Sequence, residues 1–285
     1  DKTVVSPVSL VVSAAAPVYD IRNNLLPMFA ESVRDSSLLL IDLGHGKDRL
    51  GGSVYSQVTQ RFDSVTPDME DPKELKKFLE LIRSLSAKGA ILAYHDRSDG
   101  GLAAALCEMM FASHVGVEIV ADALVSKDRT LNQALFNEEL GAVIQVARGR
   151  AAEVERDFEA AGMGWSLKYL GNLTQDDHLN IYLEGKCVLS EDRVDLQKAW
   201  NEVSWQIARM RDNPECADSE YELISDKHNG GLVLTMGFDP EENLAAPFIN
   251  TGVRPKVAIL REQGVNSQNE MASAFLQAGF DAVDV

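Results

Sequence analysis

The sequence predicts an α+β domain, a connector, and the opening βαβ unit of a parallel α/β domain. Two observations carry that prediction. From about residue 37 to 211, short apolar or β-branched runs alternate with amphipathic stretches, and glycine or proline punctuates them. From 214 to 250 the chain turns to acids, prolines and Asn229-Gly230-Gly231. At Arg254-Pro255 the alternation resumes as strand, glycine turn, helix and strand.

Taken in order, residues 3–18 are β-branched and apolar without helical periodicity, which predicts a strand. Ser37 to Leu43 is a short apolar run suited to a buried strand, stopped by Gly44. After Gly51-Gly52, Ser53 to Phe62 suits a helix. Asp71-Pro72 opens another that runs to Lys88, with acids first and Gly89 as its stop. Ala90 to His95 predicts a strand and Gly101 to His114 an apolar helix. Val117–Val120 and Gly141–Ala147 predict further strands, and Arg150–Ala161 an amphipathic helix ending at Gly162. Leu179 to Leu189 predicts a hairpin turning at Glu184-Gly185-Lys186. A long helix from about Asp192 to Arg211 ends before Asn213-Pro214. Residues 214–250 then predict a surface connector, with Leu232–Met236 as its apolar stretch. Lys256–Leu260, Gly264-Val265-Asn266, Asn266–Ala278 and Phe280–Val285 complete the βαβ unit.

Composition excludes several function classes. The 285 residues carry a formal net charge of −17, which repels a nucleic-acid backbone. Three cysteines, Cys107, Cys187 and Cys216, are too few and too scattered for a disulfide framework or a zinc site. They fit a reducing, cytoplasmic setting, with Cys107 as a small apolar side chain on a helix. No apolar run approaches the ~20 residues that span a bilayer. The chain opens on Asp1 and closes on Asp281-Ala282-Val283-Asp284-Val285, so a longer polypeptide is expected.

The chemistry concentrates at Asp96-Arg97-Ser98-Asp99-Gly100-Gly101-Leu102. An apolar strand delivers carboxylates, a hydroxyl and two glycines to the start of a helix. Amides at a helix N-terminus attract anions, and glycines let phosphates approach. Asp96 offers Mg2+ an oxygen ligand and Ser98 offers phosphate a hydroxyl. An ordinary N-cap at Ser98 or Asp99 accounts for the same residues, and composition does not choose between the two. His95 at the strand end is a structural histidine more readily than a catalytic one. His45, within Gly44-His45-Gly46-Lys47, is expected in a solvated loop, and Glu138-Glu139 at an exposed helix end in preference to a paired-carboxylate site. Trp200 and Trp205, with Ile207, are expected to pack one amphipathic helix. Arg261-Glu262-Gln263-Gly264-Val265-Asn266-Ser267 lies where parallel α/β domains bind ligands, but the residues by themselves favour a plain strand–turn–helix with Asn266 or Ser267 as N-cap.

Asp96 to Leu102 resembles the Asp-x-Ser-Asp-Gly-Gly-Leu signature of the aminoimidazole ribonucleotide synthetase superfamily, whose members use ATP. Leu50-Gly51-Gly52-Ser53 and Phe136-Asn137-Glu138-Glu139-Leu140-Gly141-Ala142-Val143 resemble further segments of it. Ser6-Pro7-Val8-Ser9-Leu10, Arg211 to Asp218 and Arg261 to Ser267 are similar to the large, single-chain phosphoribosylformylglycinamidine synthases. The resemblance covers nearly the whole chain in order and spacing.

That resemblance implies an aminoimidazole ribonucleotide synthetase C-terminal-like α+β domain at 1–213, with a mixed sheet packed by helices. A linker at 214–253 and the start of a class I glutaminase at 254–285 follow. It implies an ATP-dependent ligase of purine biosynthesis acting on formylglycinamide ribonucleotide and glutamine, with ATP/ADP and Mg2+ as cofactors. Asp96 becomes a Mg2+ ligand and Ser98 a phosphate contact, in a half that holds a structural nucleotide and does not turn it over. No catalytic residue is assigned, because the glutaminase triad is expected beyond Val285. The isolated segment is expected to be inactive without the parent polypeptide's other domains, and neither nucleic acid nor membrane is expected as a partner. Two readings stay open beside this one. One is a non-catalytic nucleotide-holding or scaffold module. The other is a different ATP enzyme of the superfamily, such as a selenophosphate synthetase.

Overall fold

The computed structural model describes the chain except residues 1–10, 19, 22–23, 62–64, 228, 230, 240, 244–245 and 248–250. It divides into two compact units, Asp1–Lys227 and His228–Val285. The first is an α+β domain built on a seven-stranded mixed sheet.

Its elements, in chain order, begin with β1 (Ser36–Asp42), α1 (Val54–Thr59), α2 (Pro72–Ala87), β2 (Ile91–Asp96) and α3 (Gly101–Ser113). β3 (Gly116–Val120), α4 (Leu131–Phe136), β4 (Gly141–Ala147) and α5 (Ala151–Ala160) follow. β5 (Leu167–Thr174), β6 (His178–Leu183), β7 (Lys186–Asp192), α6 (Arg193–Arg211) and α7 (Pro214–Leu223) complete the unit. The strands lie in the order β2-β4-β1-β5-β3-β6-β7, antiparallel throughout except for the parallel β3/β6 pair.

Burial on both faces explains why β1 is a continuous apolar run. Alternate side chains of a strand point to opposite faces. Leu38 and Leu40 therefore join a core cluster with Leu102, Leu106, Met109 and Met110 of α3. Leu39 and Ile41 join a second cluster with Phe78 and Leu85 of α2 and with Val154 and Phe158 of α5. The result is helix, sheet, helix, with β1 near the middle. Helix ends follow the local signals. Asp71 caps α2 by accepting from Lys73 N, and Pro72 occupies its first turn. Glu184 and Gly185 both take positive φ, 50° and 71°, the geometry of the tight β6–β7 hairpin.

Several expectations change. Val11 to Val18 are exposed and form no strand, and residues 3–10 lie outside the described residues. β5, absent from the sequence reading, sits between β1 and β3. Residues 214–223, read as connector, are the helix α7. Pro214 stops α6 but starts α7, because its missing N–H is harmless in a first turn. Asn213 caps that turn by accepting from Glu215 N and Cys216 N. Trp205 of α6 stacks on Tyr221 of α7 at 4.2 Å, as packing was expected to require, but Trp200 and Ile207 remain more than half exposed. Cys107 packs partly buried against the α3 core, and burial pushes its thiol up to about 12.

The second unit pairs β8 (Lys256–Ile259) in parallel with β9 (Asp281–Asp284) across α8 (Gln268–Gln277). Phe275 meets Phe280 edge to face at 5.5 Å. Leu232, Val233 and Leu234, in the predicted connector, are exposed. Among the described residues no helix is long and apolar enough to cross a membrane.

At Gly171 in β5, a Cβ would lie 1.8 Å from the Glu118 carbonyl oxygen of β3. Only strand separation would relieve that clash in a close-packed sheet. Gly171→Ala should lower unfolding stability by about 2 kcal/mol or more in urea titration. A loss under about 0.5 kcal/mol would mean that β5 does not run where it is described.

Candidate functional site

β2 ends on Asp96, and the chain crosses from strand to α3 through Arg97, Ser98, Asp99 and Gly100. The crossing is sharp, because Gly100 and Gly101 both take positive φ, 80° and 68°. A Cβ on Gly101 would also lie 2.6 Å from Asn137 O, so the turn is glycine by conformation and by space. Side chains alternate along it. Asp96 and Ser98 are exposed, whereas Arg97 between them is 4% exposed.

The two predicted site residues thus share one exposed turn. Asp96 Oδ1 accepts from the Tyr94 hydroxyl at 2.5 Å. Burial and that bond push the Tyr94 hydroxyl's pKa upward. Among the described residues nothing donates to Asp96 Oδ2 or bonds the Ser98 hydroxyl. A carboxylate oxygen and a hydroxyl left open are the donor types that a hard cation and a phosphate take. The described residues contain no group of three His, Cys, Asp or Glu suited to a metal ion. Mg2+ at Asp96 would therefore draw most of its ligands from water and phosphate, as this ion commonly does.

The backbone of the turn is less free than the motif suggests. Gly101 N donates to Ser98 O at 2.9 Å. Gly100 N donates to Glu138 Oε1 at 2.9 Å, and the same oxygen accepts from Val54 N at 2.9 Å. Glu138 thereby ties the turn to the start of α1, just after Gly51-Gly52-Ser53. Of the N-terminal amides offered to phosphate by the sequence reading, that of Gly100 is already taken.

Beneath the turn lies a buried ionic network that sequence reasoning missed. Arg97 Nη2 donates to Asp42 Oδ1 at 2.7 Å and to Leu140 O at 3.1 Å. Its Nε donates to Glu139 O at 2.6 Å, and its amide to Gly141 O at 2.9 Å. Asp42, at the end of β1, also accepts from Gly44 N at 3.1 Å and Lys168 Nζ at 3.2 Å. Glu139, expected at an exposed helix end, is fully buried. Arg49 clasps it through Nε and Nη2, both at 2.7 Å, which raises the Arg49 pKa further. Arg129 pairs with Asp48, which also accepts from Asn137 Nδ2 at 2.9 Å. The signal that could have found this network was the density of charge in Lys47-Asp48-Arg49 and Asn137-Glu138-Glu139, next to runs that must be buried.

His95 and His45 are tied down. His95 Nδ1 faces Asp96 O at 2.7 Å and its Nε2 pairs with Glu108 at 2.8 Å. His45 stacks on Trp165 at 4.0 Å and meets Glu74 at 2.8 Å. In the second unit, Ser267 begins α8 without a side-chain capping bond.

Comparison with protein families decides the class. Residues 36–184 match the C-terminal domain model of AIR synthase related proteins. The chain belongs to that family. Residues 254–285 match the CobB/CobQ-like glutamine amidotransferase domain. Among solved structures, the chain is similar to Thermotoga maritima PurL complexed with ATP, at 13% identity and TM-score 0.46, over 59% of this chain and 26% of that one. It is similar to Thermotoga maritima phosphoribosylformylglycinamidine synthase II at 10% identity and TM-score 0.48, over 92% and 34%. It is also similar to Escherichia coli HypE, a hydrogenase maturation protein, at 19% identity and TM-score 0.38, over 56% and 49%. The chain therefore spans between about a quarter and a half of the length of these structures.

Burial alone would raise the Asp42 carboxyl. Arg97, then Lys168 and the Gly44 amide, hold it down at about 2. A carboxyl that ionises lower when folded adds stability above its ordinary value of 3.8, and that stability is lost as pH falls toward 2. Asp42→Asn should cost about 2 kcal/mol or more in urea titrations near pH 7, since Arg97 is left unpaired. The deficit relative to wild type should shrink as pH falls below about 4. A deficit that stays constant would mean that Arg97 does not hold Asp42 ionised.

Proposed function

We propose that this chain is the nucleotide-holding portion of a phosphoribosylformylglycinamidine synthase of the large, single-chain kind. The observation that carries the reading is the succession in one polypeptide of an AIR synthase C-terminal domain and a glutamine amidotransferase segment. An ATP-dependent synthetase needs amidotransferase chemistry only if ammonia is its nucleophile. The family model and the open Asp96–Ser98 turn supply the ATP side of that pairing.

In this reading the parent enzyme converts formylglycinamide ribonucleotide, glutamine and ATP to formylglycinamidine ribonucleotide, glutamate, ADP and phosphate. Phosphorylation turns the amide oxygen into a leaving group, and ammonia displaces it. The Asp96 carboxylate would hold Mg2+ through Oδ2 while Tyr94 steadies Oδ1. The Ser98 hydroxyl would donate to a phosphate oxygen. When bound, Mg2+–nucleotide would bring a polyphosphate whose charge the metal offsets to the Asp96 and Ser98 side chains. Its retention, not its turnover, is the role of this half. Glu138 ties the turn to the start of α1 through Gly100 N and Val54 N. Residues 254–285 belong to the glutaminase in this reading, a domain whose triad chemistry needs a Cys nucleophile with His and carboxylate partners. In this reading the synthetase-like domain includes α7, the linker follows it up to residue 253 and the glutaminase segment is 254–285, with the reaction in the cytoplasm.

Nucleotide released by acid quench from the full-length enzyme tests this. Wild type should release tightly bound ADP, and Asp96→Asn should release at least about tenfold less at equal Mg2+ while keeping its fold, the usual scale for losing a metal-site residue. Equal nucleotide content in the two proteins would refute the role of Asp96. Loss of ATP turnover without any bound nucleotide in wild type would instead move this half into the working site.

A further inference from the structure

The Asp96–Ser98 turn holds its exposed side chains through the one buried between them. We infer that Arg97 is a positioning residue for the Mg2+–nucleotide site, setting the direction of Asp96 and the spacing to Ser98 from beneath. The inference rests on the nucleotide-holding role proposed above and assigns a residue that role does not itself require.

The argument starts from alternation. Three consecutive residues that leave a strand in extended conformation point out, in and out. The middle one here is arginine, a poor choice for a turn that needs only small residues. Burying its guanidinium costs several kcal/mol unless its donors are matched. Nε and Nη2 are matched, mostly by main chain: Nε to Glu139 O, Nη2 to Leu140 O, and Nη2 again to the Asp42 carboxylate, while Nη1 has no partner among the described residues. The planar fork thus spans two pieces of backbone that enter the sheet separately. One is the end of β1, through Asp42. The other is the Glu139–Gly141 entry to β4, where Arg97 N also donates to Gly141 O.

Asp42 extends the clamp. Its carboxylate takes Gly44 N, which starts the loop toward Gly51-Gly52, and Lys168 Nζ from β5. A rotation of the 96–98 backbone about the strand axis would pull the guanidinium from all of these together. Such a rotation is what would turn the Asp96 carboxylate away from a metal shared with a phosphate on Ser98. Lysine carries the same charge on one nitrogen and cannot reproduce the separate Nε and Nη2 donors with which the fork meets Glu139 O and the Asp42 carboxylate. Outer groups that orient a metal ligand are commonly worth 10–100-fold in metal affinity.

The test measures ADP binding to the full-length enzyme by calorimetry, with and without Mg2+, for wild type, Asp96→Asn, Arg97→Lys and the double variant. Arg97→Lys should weaken Mg2+–ADP binding about tenfold. Metal-free ADP binding should change by less than about twofold. The double variant should be no weaker than Asp96→Asn alone, because Arg97 acts through Asp96. A purely structural arginine would lower thermal stability and weaken both forms of ADP equally, and that result overturns the inference. Independent, multiplying losses in the double variant also overturn it. If Asp96→Asn binds Mg2+–ADP like wild type, the nucleotide reading itself fails, and the role of Arg97 fails with it. Should Arg97→Lys not fold, Asp42→Asn takes its place. It keeps side-chain volume, withdraws the charge partner of Arg97, and should show the same Mg2+-selective loss.

Discussion

The buried pair between Arg97 and Asp42 is the constraint on which the upper end of the sheet depends. Both groups are almost fully withdrawn from water, where an unmatched charge costs several kcal/mol. Each is therefore obliged to find partners. Those partners are the backbone around Glu139–Gly141, the Gly44 amide and Lys168. The ends of β1, β2, β4 and β5 are thereby joined at one level of the sheet. Removing either ion leaves the other stranded, so the arrangement has few neighbouring alternatives. That is a costly way to gain stability and an effective way to specify one geometry. Geometry is what a turn that presents open carboxylate and hydroxyl groups needs.

The same logic orders the loops above the sheet. Glu138 accepts from Val54 N and Gly100 N with one oxygen, joining a glycine turn near α1 to the turn that opens α3. Arg49 and Arg129 fix the intervening loop through Glu139 and Asp48. A negative carboxylate already sits on an amide that a phosphate might have used. An anion at this turn would therefore meet side chains in place of the Gly100 amide.

How much was legible in the sequence depended on whether the signal was local. β4 was readable because Gly141 and Ala147 bracket an apolar run interrupted only by Gln145. α2 was readable because Asp71-Pro72 and Gly89 mark its ends. The β6–β7 hairpin announced itself through Glu184-Gly185. β5 did not, because Leu167-Lys168-Tyr169-Leu170-Gly171-Asn172 mixes charge, ring and glycine. Its lysine serves Asp42, and its glycine allows the close approach of β3. α7 was missed because Pro214 signals both a stop and a start. The open turn at Asp96–Ser98 was visible as a motif, but its foundations were not. Arg97 and Asp42 are 55 positions apart, and Arg49 and Glu139 are 90 apart. No local pattern pairs residues at such distances.

The account's central claim is that Asp96 ligates a metal ion shared with a bound nucleotide. Anomalous scattering from crystals of the full-length enzyme, grown with Mn2+ in place of Mg2+ and with ADP, tests it most directly. The account predicts an anomalous peak about 2.1 Å from an Asp96 carboxylate oxygen, bridging to phosphate, with the Ser98 hydroxyl on the same phosphate group. ADP bound with its metal on other residues, and Asp96 left free, would contradict it.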